Sequence, residues 1–245
     1  MKVLFFELFW VFACLALIVA LVIDTRRRRT LGVPALLAIA GLTIFWQEFY
    51  ADWGAYLLWN AELHALPWGP TPLTTPHKPA LNLVSYPVFM CAAFLGMLAL
   101  LRFAQRHLPS TPLLLLSLIT AGPVLVLFNL GTEYVSVAKL GLWTYTQTYG
   151  PALHTEAGTM PLVFPNLPFA IFGAVMSWMI ASCDDSGRPR VERWMPGLAQ
   201  AHGWQRESLR ALAWALTFNL NYWLFLCTPL IVGRLLFGTP SMLVP

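Results

Sequence analysis

Residues 46–60 read W-Q-E-F-Y-A-D-W-G-A-Y-L-L-W-N and place two carboxylic acids, Glu48 and Asp52, at the end of an apolar run that begins at Leu31. A carboxylate is costly in hydrocarbon, so acids in such a place stand at an interface or turn toward other protein. Positions 48, 52 and 56 are successive i, i+4 steps, which predicts that Glu48, Asp52 and Tyr56 share one helix face. Trp46, Tyr50, Trp53 and Trp59 surround that face. Such aromatics form the belt of a membrane boundary, or they wall an apolar pocket around a carboxyl. Desolvation can keep a carboxylic acid protonated near neutral pH, the state that general acid catalysis requires. The chemistry these residues suggest is therefore acid–base. Glu48, nearer the hydrocarbon, is the expected acid and Asp52 the expected carboxylate. An interfacial belt with two solvated acids is the competing reading.

A third acid, Glu133, follows N-L-G-T at the end of a later apolar run. Glu48, Asp52 and Glu133 are expected to face one cavity, with Glu133 within about 12 Å of Glu48 from helix spacing plus side-chain reach. Glu62, His64, His77, His154 and Glu156 lie in the loops on the same side, where imidazole and carboxylate could hold a metal or form a lid. No H-x-x-x-H or H-E-x-x-H spacing supports a metal, and none is expected. No histidine falls mid-span, where a haem ligand would stand, and neither G-x-S-x-G nor a P-loop occurs. No cofactor is expected.

The elements that must position these acids follow from composition. The 245 residues are 58% hydrophobic and 11% charged, against about 25% charged in soluble domains. The expected fold is all-α: a single transmembrane domain over residues 1–245, an integral membrane bundle of about six helices. The net charge of +4 does not point to nucleic acid, because the charges sit in short loops between apolar spans. The spans are expected near Val3–Ile23, from Leu31 to about Tyr50, Ala80–Leu101, Thr111–Thr132, Pro161–Ala181 and Leu209–Val232. Arg26–Arg29 follow the first span rather than precede it, which is the reverse of a signal peptide, so that span is read as a retained anchor. Pro67, Pro70, Pro72, Pro76 and Pro79 break any helix between the second and third spans. Ser110 or Thr111 is the expected cap of the fourth span, with Pro112 in its first turn. Asn219 and Asn221 are expected to hydrogen-bond to neighbouring helices. Cys14, Cys91, Cys183 and Cys227 are read as small buried hydrophobes. Asp184, Asp185, Glu192 and Glu207, mixed with arginines, are read as a solvated loop.

Positive charge sets orientation. Eleven of the 15 basic residues (Arg26–Arg29, Arg102, Arg106, Arg188, Arg190, Arg193, Arg206, Arg210) fall on one side, and Lys2, Lys78, Lys139 and Arg234 on the other. Both termini are therefore expected outside, in a bacterial inner (cytoplasmic) membrane. Reporter fusions after Arg106 and within 183–208 should report cytoplasm, and fusions near His77, Pro151 and Pro245 the outside. A cytoplasmic C-terminus would overturn this orientation.

The segment W-Q-E-F-Y at 46–50, followed by Asn60 and P-W-G at 67–69, resembles the AveC-type spirocyclase family. A second match is Glu133 followed by G-L-W-T-Y at 141–145 and a proline-rich entry into the next span. The resemblance covers scattered blocks from Leu31 to Trp178. This chain departs from the pattern with Glu48 in place of Asp, Phe49 in place of Pro, and L-P-W-G in place of G-S-W. The resemblance implies a membrane cyclase that forms spiroketals from a dihydroxyketone polyketide without a redox cofactor. Glu48, Asp52 and Glu133 are the catalytic candidates. Trp46, Tyr50, Trp53, Tyr56, Asn60, Trp143, Tyr145 and His154 are the candidates for substrate binding. The expected partners are an apolar small molecule and the lipid bilayer, and nothing in the sequence sets an oligomeric state. Two other readings compete: an integral-membrane terpene cyclase, whose carbocations aromatic faces would stabilise, and a non-catalytic lipid-binding or assembly subunit.

Overall fold

The computed structural model describes residues 1–69 and 71–245, so Pro70 lies outside the described residues. Helix α1 (Lys2–Arg28) is almost wholly apolar until its last turn. Arg26, Arg27 and Arg28 there complement the negative end of the helix dipole, and Arg29 closes the helix in the left-handed conformation. Helix α2 (Val33–Ile44) starts on a proline in its first turn, where no N–H is missed. It continues through a 3₁₀ turn at Phe45–Gln47 into α3 (Glu48–Gly54). The apolar stretch beyond Gly54 does not extend the helix. Tyr56 takes a left-handed φ of 60°, and Leu57–Trp59 form strand β1.

Helices α4 (Leu81–His107) and α5 (Leu113–Glu133) follow, and α5 runs on as a π-helical turn to Lys139. Pro112 is the N-cap of α5 itself, and neither Ser110 nor Thr111 caps it with a side chain. Strands β2 (Trp143–Tyr145), β3 (Ala152–His154) and β4 (Thr159–Pro161) precede helix α6 (Asn166–Ala181). The expected fifth span is thus shortened at its start. A four-residue helix α7 (Arg190–Arg193) leads to α8 (Gly203–Tyr222), which passes through a π-helical turn into α9 (Thr228–Phe237).

Five of these rods are long and apolar enough to cross a membrane: Lys2–Arg28, Val33–Gly54, Leu81–His107, Leu113–Lys139 and Gly203–Phe237. Asn166–Ala181 is a shorter apolar helix. The chain is a multi-pass, mostly helical membrane protein with a few small strands.

Two glycines allow the close packing that sets the site. A Cβ on Gly54 would lie 2.7 Å from the Leu230 carbonyl carbon, so α3 can press against α9 only without a side chain there. A Cβ on Gly41 would meet the Tyr86 carbonyl oxygen at 2.8 Å, which brings α2 against α4 in the same way. Asn219 ties α8 to the end of α2: its amide donates to Thr43 Oγ1 at 2.9 Å and accepts from Gln47 Nε2 at 2.6 Å. Asn221 also reaches a neighbouring helix: its amide donates to the Met179 sulfur of α6 at 3.8 Å, besides the Thr217 carbonyl of its own helix at 2.8 Å.

The cytoplasm-assigned loop is not uniformly solvated. Glu192 and Glu207 are only 3% and 6% exposed. Arg210 bridges them at 3.0 Å and 2.8 Å. Trp214 Nε1 also donates to Glu192, the Leu31 N–H donates to Glu207, and Arg210 donates to the Leu31 carbonyl. This cluster seats α8 on the loop between α1 and α2. Packing, which local charge alternation does not reveal, removed these acids from water. Cys183 is exposed, unlike the other three cysteines.

Candidate active site

The 3₁₀ turn at Phe45–Gln47, α3 and its C-cap Ala55 together present two stripes. Positions 48, 51, 52 and 55 follow helical spacing on one side, and 46, 50 and 53 on the other. The first stripe, Glu48, Ala51, Asp52 and Ala55, lines a cavity of about 120 Å³. Glu133 from the end of α5 lines the same cavity, as do Tyr86, Asn82, Phe89, Trp143, Tyr145, Phe169 and Tyr222. The three acids named from sequence are thus brought together. Asp52 and Glu133 are 2% and 7% exposed, while Glu48 keeps more of its surface open to the cavity.

Each acid has its own donors. The Tyr222 hydroxyl donates to Glu48, and Tyr222 in turn lies 2.9 Å from the Tyr86 hydroxyl. Trp59 Nε1 donates to Asp52 at 2.8 Å. Trp143 Nε1 and the Tyr145 hydroxyl donate to Glu133 at 3.0 Å and 2.7 Å. Burial, and secondarily the Glu133 charge beside it, hold the Tyr145 phenol well above its ordinary pKa. Tyr145 therefore stays a donor at any physiological pH.

A short antiparallel ribbon positions these donors. Strands β1 and β2 pair with Leu57 opposite Tyr145 and Trp59 opposite Trp143. Residues two apart on a strand share a face. Leu57, Trp59, Trp143 and Tyr145 therefore all look into the cavity. The rings of Trp59 and Trp143 meet at 4.7 Å. The donor to Asp52 and the donor to Glu133 are thus neighbours across one ladder. Asn60 holds the end of this ribbon: its amide donates to the Gly141 carbonyl at 3.0 Å and accepts from the Glu62 N–H.

Several candidates for substrate binding stand elsewhere. Tyr56 leaves the Glu48–Asp52 face because α3 ends at Gly54, and its hydroxyl donates to the Thr239 carbonyl at 2.7 Å. Trp53 and Tyr56 instead flank the Arg234 guanidinium, 3.9 Å and 4.2 Å from the ring centres. Arg234 also donates to the Trp53 and Val244 carbonyls, which draws the C-terminal tail onto α3. Trp46 is exposed and meets Tyr50 edge-on, and Tyr50 packs on Trp223. Both belong to the outward stripe. Asn60 shapes the ribbon rather than the cavity wall. His154 is exposed on the β3–β4 hairpin, 3.0 Å from Thr159 Oγ1. His64 pairs with Glu7 of α1 at 2.7 Å, and His77 lies 3.0 Å from the Leu63 carbonyl. Among the described residues, no three His, Cys, Asp or Glu side chains gather as a metal would need.

Sequence reasoning missed Tyr86, Tyr222 and Asn82. A usable signal existed, because a tyrosine hydroxyl inside an apolar span needs a partner. Tyr86 and Tyr222 lie in separate spans and answer each other.

No curated protein and no solved structure matches the chain. A protein family described as "Spirocyclase AveC-like" matches residues 26–243. That match runs over α2 to α9 and includes Glu48, Asp52 and Glu133 with the ribbon that supplies their donors; on this evidence the chain belongs to the AveC-like spirocyclase family.

Proposed function

We propose that this protein closes a dihydroxyketone, polyketide-like substrate to a spiroketal by acid–base dehydration. The observation that carries the reading is the convergence of Glu48, Asp52 and Glu133 on one aromatic-walled cavity in a chain of this family. In the reaction, one hydroxyl adds to the ketone carbon and gives a hemiketal. The former ketone oxygen is then a hydroxyl that must leave. Glu48 delivers a proton to it, the C–O bond breaks and water departs. The oxocarbenium ion that remains is stabilised by a carboxylate and by the surrounding aromatic faces. The second hydroxyl attacks that carbon and gives its proton to Asp52. A proton passing from Asp52 back to Glu48 resets the site, and the net change is loss of one water.

The roles suit the hydrogen bonds. A carboxylate only accepts, and the Trp59, Trp143 and Tyr145 donors aimed at Asp52 and Glu133 serve that form. Glu48, beside the Tyr222–Tyr86 hydroxyl pair, has the freer surface. Drug-sized ligand pockets span roughly 300–1,000 Å³. A cavity of about 120 Å³ takes the reacting centre, and the remaining chain runs out past the half-buried rim at Phe6, Trp10, Phe89 and Thr132.

The test is turnover in membranes containing the protein. A dihydroxyketone is expected to close faster than in control membranes and to give one stereoisomer in excess. Closure at the control rate, with an epoxidised isoprenoid cyclised instead, would replace this reading by terpene cyclisation.

A further inference from the structure

Two hydrogen-bond donors on the cavity wall have no acceptor among the described residues. Asn82, in the first turn of α4, is 2% exposed, and its Nδ2 has no hydrogen-bond partner among the described residues. Trp10, on α1, is half-buried, but its indole Nε1 is fully enclosed and, among the described residues, equally without a partner. Both residues line the cavity shared by Glu48, Asp52 and Glu133. An enclosed N–H without an acceptor is costly, and nearly all buried polar groups in folded proteins are paired. Two such groups on separate helices, both on the wall of one cavity, mark where a ligand supplies the acceptor.

Their chemistry narrows the ligand. The indole N–H is a donor only, with no acceptor capacity. Neither group ionises in the physiological range, so neither can serve as the acid. The three carboxyls are the natural partners for the substrate's hydroxyl protons. What remains for the N–H pair is an oxygen that only accepts: a ketone carbonyl, or the ring ethers of the product. We propose that Asn82 and Trp10 are substrate-binding residues that hold the ketone oxygen of the substrate over the acids, and afterwards a ring oxygen of the product. This rests on the spiroketal reading above. It divides the wall into carboxyls that handle hydroxyls and N–H groups that fix the carbonyl. Held in this way, the carbonyl carbon presents one face to the attacking hydroxyl, so the pair also bears on stereochemistry. The two donors lie on either side of the start of the family match. Asn82 lies within the family match, whereas Trp10 precedes residue 26, where the match begins. Helix α1 thus adds a wall and a donor to a site whose acids lie in the matched region.

The test is equilibrium binding to the full-length protein in lipid nanodiscs, with empty nanodiscs as baseline. One probe is a simple spiroketal of two six-membered rings. The other is its all-carbon counterpart, which has the same shape and no oxygen. The wild type is expected to prefer the spiroketal. Asn82→Leu and Trp10→Phe keep most of the bulk and remove one donor each. Each should cut the preference about three- to tenfold, the range for one lost hydrogen bond, while the all-carbon probe binds as before. If both probes weaken together, the residues merely support the fold and the assignment fails. It also fails if the preference is unchanged in both variants. The outcome separates this inference from the reaction itself. Turnover of the dihydroxyketone with no oxygen preference leaves the cyclase standing and removes the donor pair. An oxygen preference that both substitutions erase, without turnover, leaves the donors and removes the reaction.

Discussion

Glu48→Gln is expected to slow stereoselective spiroketal closure by about 10²–10⁴-fold, the usual contribution of a positioned general acid, while the protein folds and inserts normally. Glutamine keeps the length and the hydrogen-bonding reach of the side chain, so the Tyr222 hydroxyl keeps an acceptor. What it lacks is a proton to deliver to the departing hydroxyl. Asp52→Asn should lose less, or shift the ratio of stereoisomers, because Glu133 remains on the same wall to stabilise the cation. The assay is turnover in membranes with matched amounts of each variant. A no-protein control sets the baseline, since hydroxyketones of this kind close slowly unaided. Full stereoselective turnover by Glu48→Gln would remove it as the acid and turn attention to Glu133.

Arg210→Met is expected to cost about 3–5 kcal/mol of stability, the range for breaking a buried ion pair from one side. The arginine is the shared partner of two acids, Glu192 and Glu207, that are nearly out of water. Removing it leaves both without their countercharge. The remaining donors, Trp214 Nε1 on Glu192 and the Leu31 N–H on Glu207, are neutral. Adding Glu192→Gln and Glu207→Gln to Arg210→Met should recover most of the loss, because uncharged amides do not need the guanidinium. Unfolding midpoints in one detergent measure both changes. A loss below about 1 kcal/mol for the single substitution would class the cluster with ordinary surface ion pairs. Because Arg210 and Leu31 stand toward the starts of α8 and α2, whereas Tyr222 and Glu48 stand at or just past the far ends of the same helices, catalytic constants of the surviving folded fraction should stay near those of the wild type.

The membrane character and the rough placement of the spans were legible in the sequence, because hydropathy is local and sums along a stretch of chain. The pairing of Glu48 with Asp52 was legible for the same reason: an i, i+4 step stays on one face for as long as the helix lasts. Where the helix stops is a tertiary matter. Gly54 lies so close to the α9 backbone that the chain turns there, and Tyr56 swings away to Arg234 and Thr239 instead of extending the acid face. Glu192 and Glu207 read as solvated because charges alternate around them, but burial depends on what packs on top, and Arg210 with the Leu31 backbone does so. The donors to Asp52 and Glu133 are set by a strand register between segments far apart in sequence, which no local pattern encodes. The same holds for Asn82 and Trp10. Each is an unremarkable residue on its own helix, and only the closing of α1, α3, α4 and α5 around one cavity puts both on the wall that the acids share. Residue type and helical period decided which groups could do chemistry; helix packing and strand register decided which of them share a site.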